Sequence, residues 1–284
     1  MAFTIFFSNF ASNFNTLNQH TVNKVYGILL LCMMICVGCE WQLKPANTGE
    51  EIVQVTIDRY DRIESLYLTT GDRSALQQMN TNYPMQTRML IEDMLRIGKV
   101  DDADINDKLL HFFQDSILQR LLHDVQLQYA EVDDISEGLS AAFNHLKKDL
   151  PAMDIPQVYT QIGSFDQSIV VGNNALGISL DKYLGADYSF YRENYTENQR
   201  LMMERSMIVP DCISFYLLSI YPLPHVEDSS QTERSQHMGK IQWVVNRVTG
   251  RQVFQNDFVE HVDRYMKQNP QASIDQLLRE ADRH

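Results

Sequence analysis

The stretch that decides the fold is Gln157-Val-Tyr-Thr-Gln-Ile-Gly-Ser-Phe-Asp-Gln-Ser-Ile-Val-Val-Gly-Asn-Asn-Ala-Leu-Gly-Ile-Ser-Leu180. Gln157 to Ile162 and Gln167 to Val171 are enriched in Val, Ile, Tyr and Thr, side chains that suit a pleated, half-buried surface. Gly172-Asn-Asn174 is a turn signal, because both residue types tolerate left-handed backbone. Ala175 to Leu180 then reads as a third strand. Three short strands in succession predict a small antiparallel sheet.

Outward from this block the pattern is helical on both sides. Val53, Ile57, Tyr60, Ile63 and Tyr67 keep helical spacing through Leu68, although Ile52 to Ile57 reads equally as a strand or as a first helical turn. Further helices are expected over 86–97, 105–130 and 134–150, the last opened by Asp134-Ile-Ser-Glu137 and stopped at Pro151. Downstream, helices are expected over 197–204, 209–220, 233–248, 256–267 and 274–281, with Tyr221-Pro-Leu-Pro224 as a break. The fold class is therefore α+β, predominantly α-helical with a small central antiparallel sheet.

The N-terminus carries an address. Val25 to Val37 is a run of 13 residues without a charge, preceded by Lys24. A membrane-crossing helix needs about 20 apolar residues, whereas the core of a signal peptide runs to roughly 7–15. The run ends in Cys36-Val-Gly-Cys39, a cysteine after a small residue, which resembles the lipobox of bacterial lipoproteins. That likeness implies cleavage before Cys39 and lipid on its thiol, with Cys36 standing where Leu is usual. One acyl chain binds a bilayer only marginally, and two or three make attachment effectively permanent. Residues 1–21 hold no Lys or Arg, and initiation at Val22 would give a more usual signal peptide. The expected organisation is a signal peptide over 1–38, a tether over 39–50 and one domain over 51–284, helical in 51–150 and sheet plus helices in 151–284.

Charge narrows the partners. Of 24 basic residues only Lys24 precedes Cys39, and all 37 acidic residues follow it, so the chain from Cys39 has a formal charge of −14. Such a surface repels nucleic acid and anionic headgroups. Cys32 and Cys36 leave with the signal and Cys39 is lipidated. Cys212 is then alone, with no disulfide framework, and sits in an apolar run as a small hydrophobe.

No familiar catalytic pattern is present. None of the eight histidines has another four residues away, so His-Glu-x-x-His is absent, and Gly-x-Ser-x-Gly and the phosphate-binding glycine patterns are missing too. His111 with Asp115 and Asp257 with His261 share helix faces, which suits capping or solvated pairs. The segment Ile178-Ser-Leu-Asp-Lys-Tyr-Leu-Gly-Ala-Asp-Tyr-Ser-Phe-Tyr191 concentrates aromatics. Its rings either cover the core or form a contact surface of Tyr183, Tyr188 and Tyr191 with Asp181 and Asp187 supplying polarity.

This segment resembles the gliding-motility lipoproteins of the Bacteroidota, the GldB family, whose core reads Ile-Ser-Leu-Asp-x-Tyr-Leu-Gly-x-Asp. The likeness extends to Arg59-Tyr-Asp61, Tyr83-Pro84, Asp154-Ile-Pro-Gln-Val-Tyr-Thr160, Ile208-Val-Pro-Asp211, Tyr265-Met-Lys-Gln-Asn-Pro270 and Ile274-Asp-Gln-Leu-Leu278, with a shorter stretch between about 222 and 256. The resemblance implies a lipid-anchored envelope protein, an accessory of a gliding or secretion-type apparatus that works by binding protein partners, without cofactor or enzymatic activity. It also implies a degenerate gluzincin-like scaffold. The helix matching the zinc helix of those peptidases is Val209 to Ile220, which offers Asp211, Cys212, Ser214 and Phe215 but no histidine or glutamate. The alternative is a metal-dependent peptidase or hydrolase relative, in which His225 or His237 would serve a metal. Glu40 after the lipidated position favours the outer membrane over the inner.

Overall fold

The computed structural model describes residues 52–279 apart from Asn173; the expected signal peptide, Cys39 and the tether lie outside the described residues. The chain enters as an extended strap, Val53 to Val55, laid along the helix α6 (Asp133–Asp149). Side chains one turn apart on that helix hold the strap. The Val53 N–H donates to Asn144 Oδ1 at 2.8 Å and Asn144 Nδ2 to the Val53 carbonyl at 2.7 Å. The Val55 N–H donates to Ser140 Oγ at 2.9 Å and Ser136 Oγ to the Val55 carbonyl at 2.6 Å. Extended backbone whose polar groups are satisfied this way has no reason to coil. The first helix therefore begins later than periodicity suggests, after a short strand β1 (Ile57–Asp58), as α1 (Tyr60–Thr70).

Gly71 ends α1 in a left-handed conformation, φ 69°, which costs glycine no steric strain. Asp72 then accepts the Ala75 N–H and opens α2 (Arg73–Thr81), a helix that its mostly polar sequence hides. The helix expected over 86–97 starts earlier, at α3 (Pro84–Arg88), and widens to a π-helical turn over Met89–Met94. The single helix expected over 105–130 is two, α4 (Ile105–Phe112) and α5 (Ser116–Gln128). Asp115 makes the break: its carboxylate accepts the Ile117 and Leu118 N–H groups and starts a new helix.

The sheet has four strands in the order β1-β2-β4-β3, with β2 at Gln157–Gln161, β3 at Ile169–Gly172 and β4 at Ala175–Ser179. It is mixed rather than antiparallel. β1 and β4 both run parallel to β2, and only the β3–β4 hairpin is antiparallel. The link 162–168 carries the chain past the β4 position, so the hairpin returns β4 beside β2 and leaves β3 at the edge. Gly177 makes room for the Tyr159 ring, since a Cβ would lie 2.5 Å from it and force the ring to shift. Every residue of β4 is buried.

The helices that follow are α7 (Ser189–Asn194), α8 (Glu197–Leu201), α9 (Ile208–Ile220), α10 (Gln231–Thr249), α11 (Asp257–Gln268) and α12 (Ile274–Arg279). A capping box of Ser230 and Glu233 opens α10, and left-handed Gly250 closes it. α9 packs on α6, α10 and the β3–β4 hairpin, and its apolar residues Ile208, Ile213 and Leu217 are fully buried. The architecture is thus mainly helical around a small central sheet, an α+β fold.

Candidate functional site

The carboxyl ends of β2 and β4 hold polar side chains that the core encloses completely. α1 brings Asp61 and Glu64, β2 brings Thr160 and Gln161, and the end of β4 and the 3-10 turn after it bring Ser179 and Asp181; each is at most 1 % exposed. Glu64 falls one turn after Tyr60 and about one before Tyr67, within the helix stripe that faces inward, which is how a charge enters the core.

Each group has a defined task. Asp61 is paired with Arg59 at 2.8 Å and accepts the Thr160 hydroxyl. Asp181 organises the loop after β2: Oδ1 accepts the Gly163 N–H at 2.7 Å and Oδ2 the Phe165 N–H at 2.6 Å. That loop carries two successive non-glycine residues at positive φ, Ser164 at 51° and Phe165 at 67°, a conformation that costs energy and persists only when surroundings fix it. Lys182 Nζ adds a bond to the Phe165 carbonyl at 3.0 Å, and the Phe165 ring stacks on Phe190 with centroids 4.0 Å apart. Glu64 Oε2 accepts the Ile162 N–H at 2.9 Å. Burial pushes the Glu64 carboxyl well above the usual carboxylate range, with Asp181 and Asp61 adding to the effect. Burial also raises Asp181, opposed by its two N–H donors.

A second polar contact joins this region to α9. Tyr183 Oη donates to Asp211 Oδ2 at 2.8 Å. Burial lifts Asp211 to about 6, against the pull of that hydrogen bond. The neighbouring Cys212 is fully buried and its thiol is pushed up by burial. It is shielded as a small hydrophobe, in line with the sequence reading.

The sequence-derived contact residues separate into two groups. Asp181, Tyr183 and Tyr191 are interior, not surface. The Tyr191 hydroxyl donates to the Asp181 carbonyl and accepts the Leu184 N–H, and Gln128 and Tyr129 donate to the Tyr183 carbonyl, so their polar atoms tie loops together. Asp187 is exposed and Tyr188 half-buried, its hydroxyl donating to Asp124 Oδ2 at 3.1 Å. The aromatic segment thus packs one face into the core and presents only its tip. Glu64 and Gln161 escaped the sequence reading; the available signal was a glutamate set inside the apolar stripe of α1.

On α9, Asp211, Cys212 and Ser214 face inward and Phe215 faces out. His225 and His237 line one cavity of about 500 Å³ with Tyr221, Lys240 and Arg279, and His237 Nε2 lies 2.9 Å from the Tyr221 carbonyl. Asp115 is the cap of α5, and His111 Nδ1 contacts Gln114 at 3.2 Å. Among the described residues no group of three or more His, Cys, Asp or Glu is placed to hold a metal ion, and no helix is long and apolar enough to cross a membrane.

Fold and cluster define the class: a mainly helical α+β domain whose mixed sheet ends in a loop fixed by a buried aspartate. The chain belongs to the family described as gliding motility protein GldB, whose family model matches residues 41–253. No curated protein matches the chain, and no solved structure does. The gluzincin-like part of the expected fold accordingly rests on sequence resemblance alone.

Proposed function

We propose that this protein is a cell-envelope lipoprotein, anchored through lipid on Cys39, that serves a gliding-motility or secretion-type apparatus by binding a protein partner. The family assignment over residues 41–253 is the observation that carries the reading. The outer membrane is the proposed site of anchoring, with the bilayer and envelope proteins as partners. The binding face centres on exposed Asp187 and half-buried Tyr188, the tip of the aromatic segment. The Tyr188 ring packs edge-on against buried Tyr191, with centroids 5.1 Å apart, and its hydroxyl is held by Asp124. A tip on rigid supports meets a partner with little ordering cost.

Crosslinking of the tethered protein in envelopes, followed by mass spectrometry, tests this reading. A specific envelope protein captured by wild type and lost in the Asp187→Lys, Tyr188→Ala double variant is the expected result. Equal capture by both would move the face elsewhere, and capture of nothing specific would remove the binding role. Metabolic labelling with palmitate, positive for wild type and negative for Cys39→Ala, tests the anchor separately.

A further inference from the structure

Two buried oxygens near the end of β2 have no hydrogen-bond donor among the described residues: Glu64 Oε1 and Gln161 Oε1. An amide oxygen only accepts, a carboxyl oxygen only accepts unless it carries the proton, and both residues are fully buried. The Gln161 Nε2 donates to Ser179 Oγ at 3.2 Å and to the Met94 sulfur at 2.9 Å, which leaves Oε1 as the atom without a partner. Glu64 has one donor, the Ile162 N–H, where Asp181 has two. Native interiors seldom leave buried acceptors bare, and a carboxylate with a single donor in the core is a poorly supported charge.

The charges around Glu64 sharpen the problem. Asp181, on the turn after β4, and Asp61, one turn earlier on α1, both act on it and both are acidic. Asp61 is already neutralised by Arg59. Lys182 spends its ammonium on the Phe165 carbonyl and the Tyr195 hydroxyl. The titratable groups that feel Glu64 are Tyr60 on its own helix and Tyr159 on β2. α5 meets α1 through the neutral amides of Gln119 and Gln126. α2 holds a single charged residue, exposed Arg73. On α3, Arg88 is paired outward with Glu92.

We propose that Glu64 is a proton-binding site built into the fold: in the native protein at neutral pH its carboxyl is a neutral acid, whose hydroxyl supplies the donor this corner of the interior lacks. Asp181 keeps the negative charge, because the Gly163 and Phe165 N–H groups and Lys182 support it. The two carboxyls divide the work, one holding the loop as an anion and the other filling the gap as an acid. This inference concerns the interior and stands apart from the proposed binding face.

Infrared difference spectroscopy on the full-length protein tests it. A protonated-carboxyl C=O band is expected at pH 7 in wild type and in Asp211→Asn, and is expected to vanish in Glu64→Gln. No such band in wild type, or one that survives Glu64→Gln, overturns the proposal. Linkage supplies a second measurement. A raised native pKa makes stability complete below the ordinary glutamate range and lost as pH rises above it, so the unfolding constant of wild type gains up to about tenfold per pH unit relative to Glu64→Gln above roughly pH 4.3. Parallel pH profiles for the two proteins overturn the proposal. So does a wild-type unfolding midpoint that shifts with added sodium or calcium at constant ionic strength, which would place a cation where the proton is assigned.

Discussion

The loop end of the sheet and the α9–α10 pair both enclose fully buried side chains and hold together by different means. Around β2 and β4 the interior is polar, and a single carboxylate, Asp181, fixes the positive-φ loop through two N–H groups. Between α9 and α10 the interior is aliphatic: Ile208, Ile213 and Leu217 face Ile241, Val244, Val245 and Val248, all at most 1 % exposed. Aliphatic packing tolerates small changes of shape, because neighbours relax into part of the lost volume. Buried hydrogen bonding does not, since a lost acceptor leaves its donors stranded without water.

Substitutions that pit one region against the other test this contrast. Asp181→Ala strands the Gly163 and Phe165 N–H groups and is expected to cost most, about 3–5 kcal/mol, measured by urea unfolding. Leu217→Ala in the aliphatic block opens a cavity and is expected to cost about 3 kcal/mol. A larger loss for Leu217→Ala than for Asp181→Ala would reverse the comparison. Asp211 sits where the two regions meet and gives a pH signature. Its native pKa of about 6 lies above the unfolded value, so the stability it contributes is complete below about pH 4 and is lost as pH rises to about 6. Asp211→Asn should flatten that slope, by up to about 1.4 kcal/mol per pH unit, in denaturation curves taken across the interval. Ser140→Ala, which removes the acceptor for the Val55 N–H, should cost about 1 kcal/mol and speed hydrogen exchange at Val55. Asp187→Ala, at an exposed site, should leave the unfolding midpoint unchanged while lowering partner capture.

The contrast also explains what could be read from the chain. Elements that follow from local pattern were legible: the three strands, α6 up to Pro151, and α10 with α11, whose caps Ser230 and Asn256 sit beside their first turns. The parallel pairing of β1 and β4 with β2 was not, because strand composition is silent about direction and β1 has only two residues. The split between α4 and α5 escaped because apolar spacing runs on through the break, and Asp115 reads as an ordinary helix-surface residue. The burial of Cys212 in its apolar run and the outward position of Asp187 follow from composition and neighbours. The burial of Asp181 does not: an aspartate before a lysine reads as surface, and only the distant Gly163 and Phe165 amides make it an interior group.

The strap along α6 has a mechanical consequence. Val53 and Val55 run antiparallel to the helix, meeting Asn144 first and then Ser140 and Ser136, so four hydrogen bonds lie side by side along the direction of the chain. Tension applied along the strap from ahead of Ile52 loads these bonds together, in shear, instead of peeling them one after another. The entry of the domain behaves as a cleat, passing a pull into the length of a 17-residue helix and sparing the two-residue strand behind it.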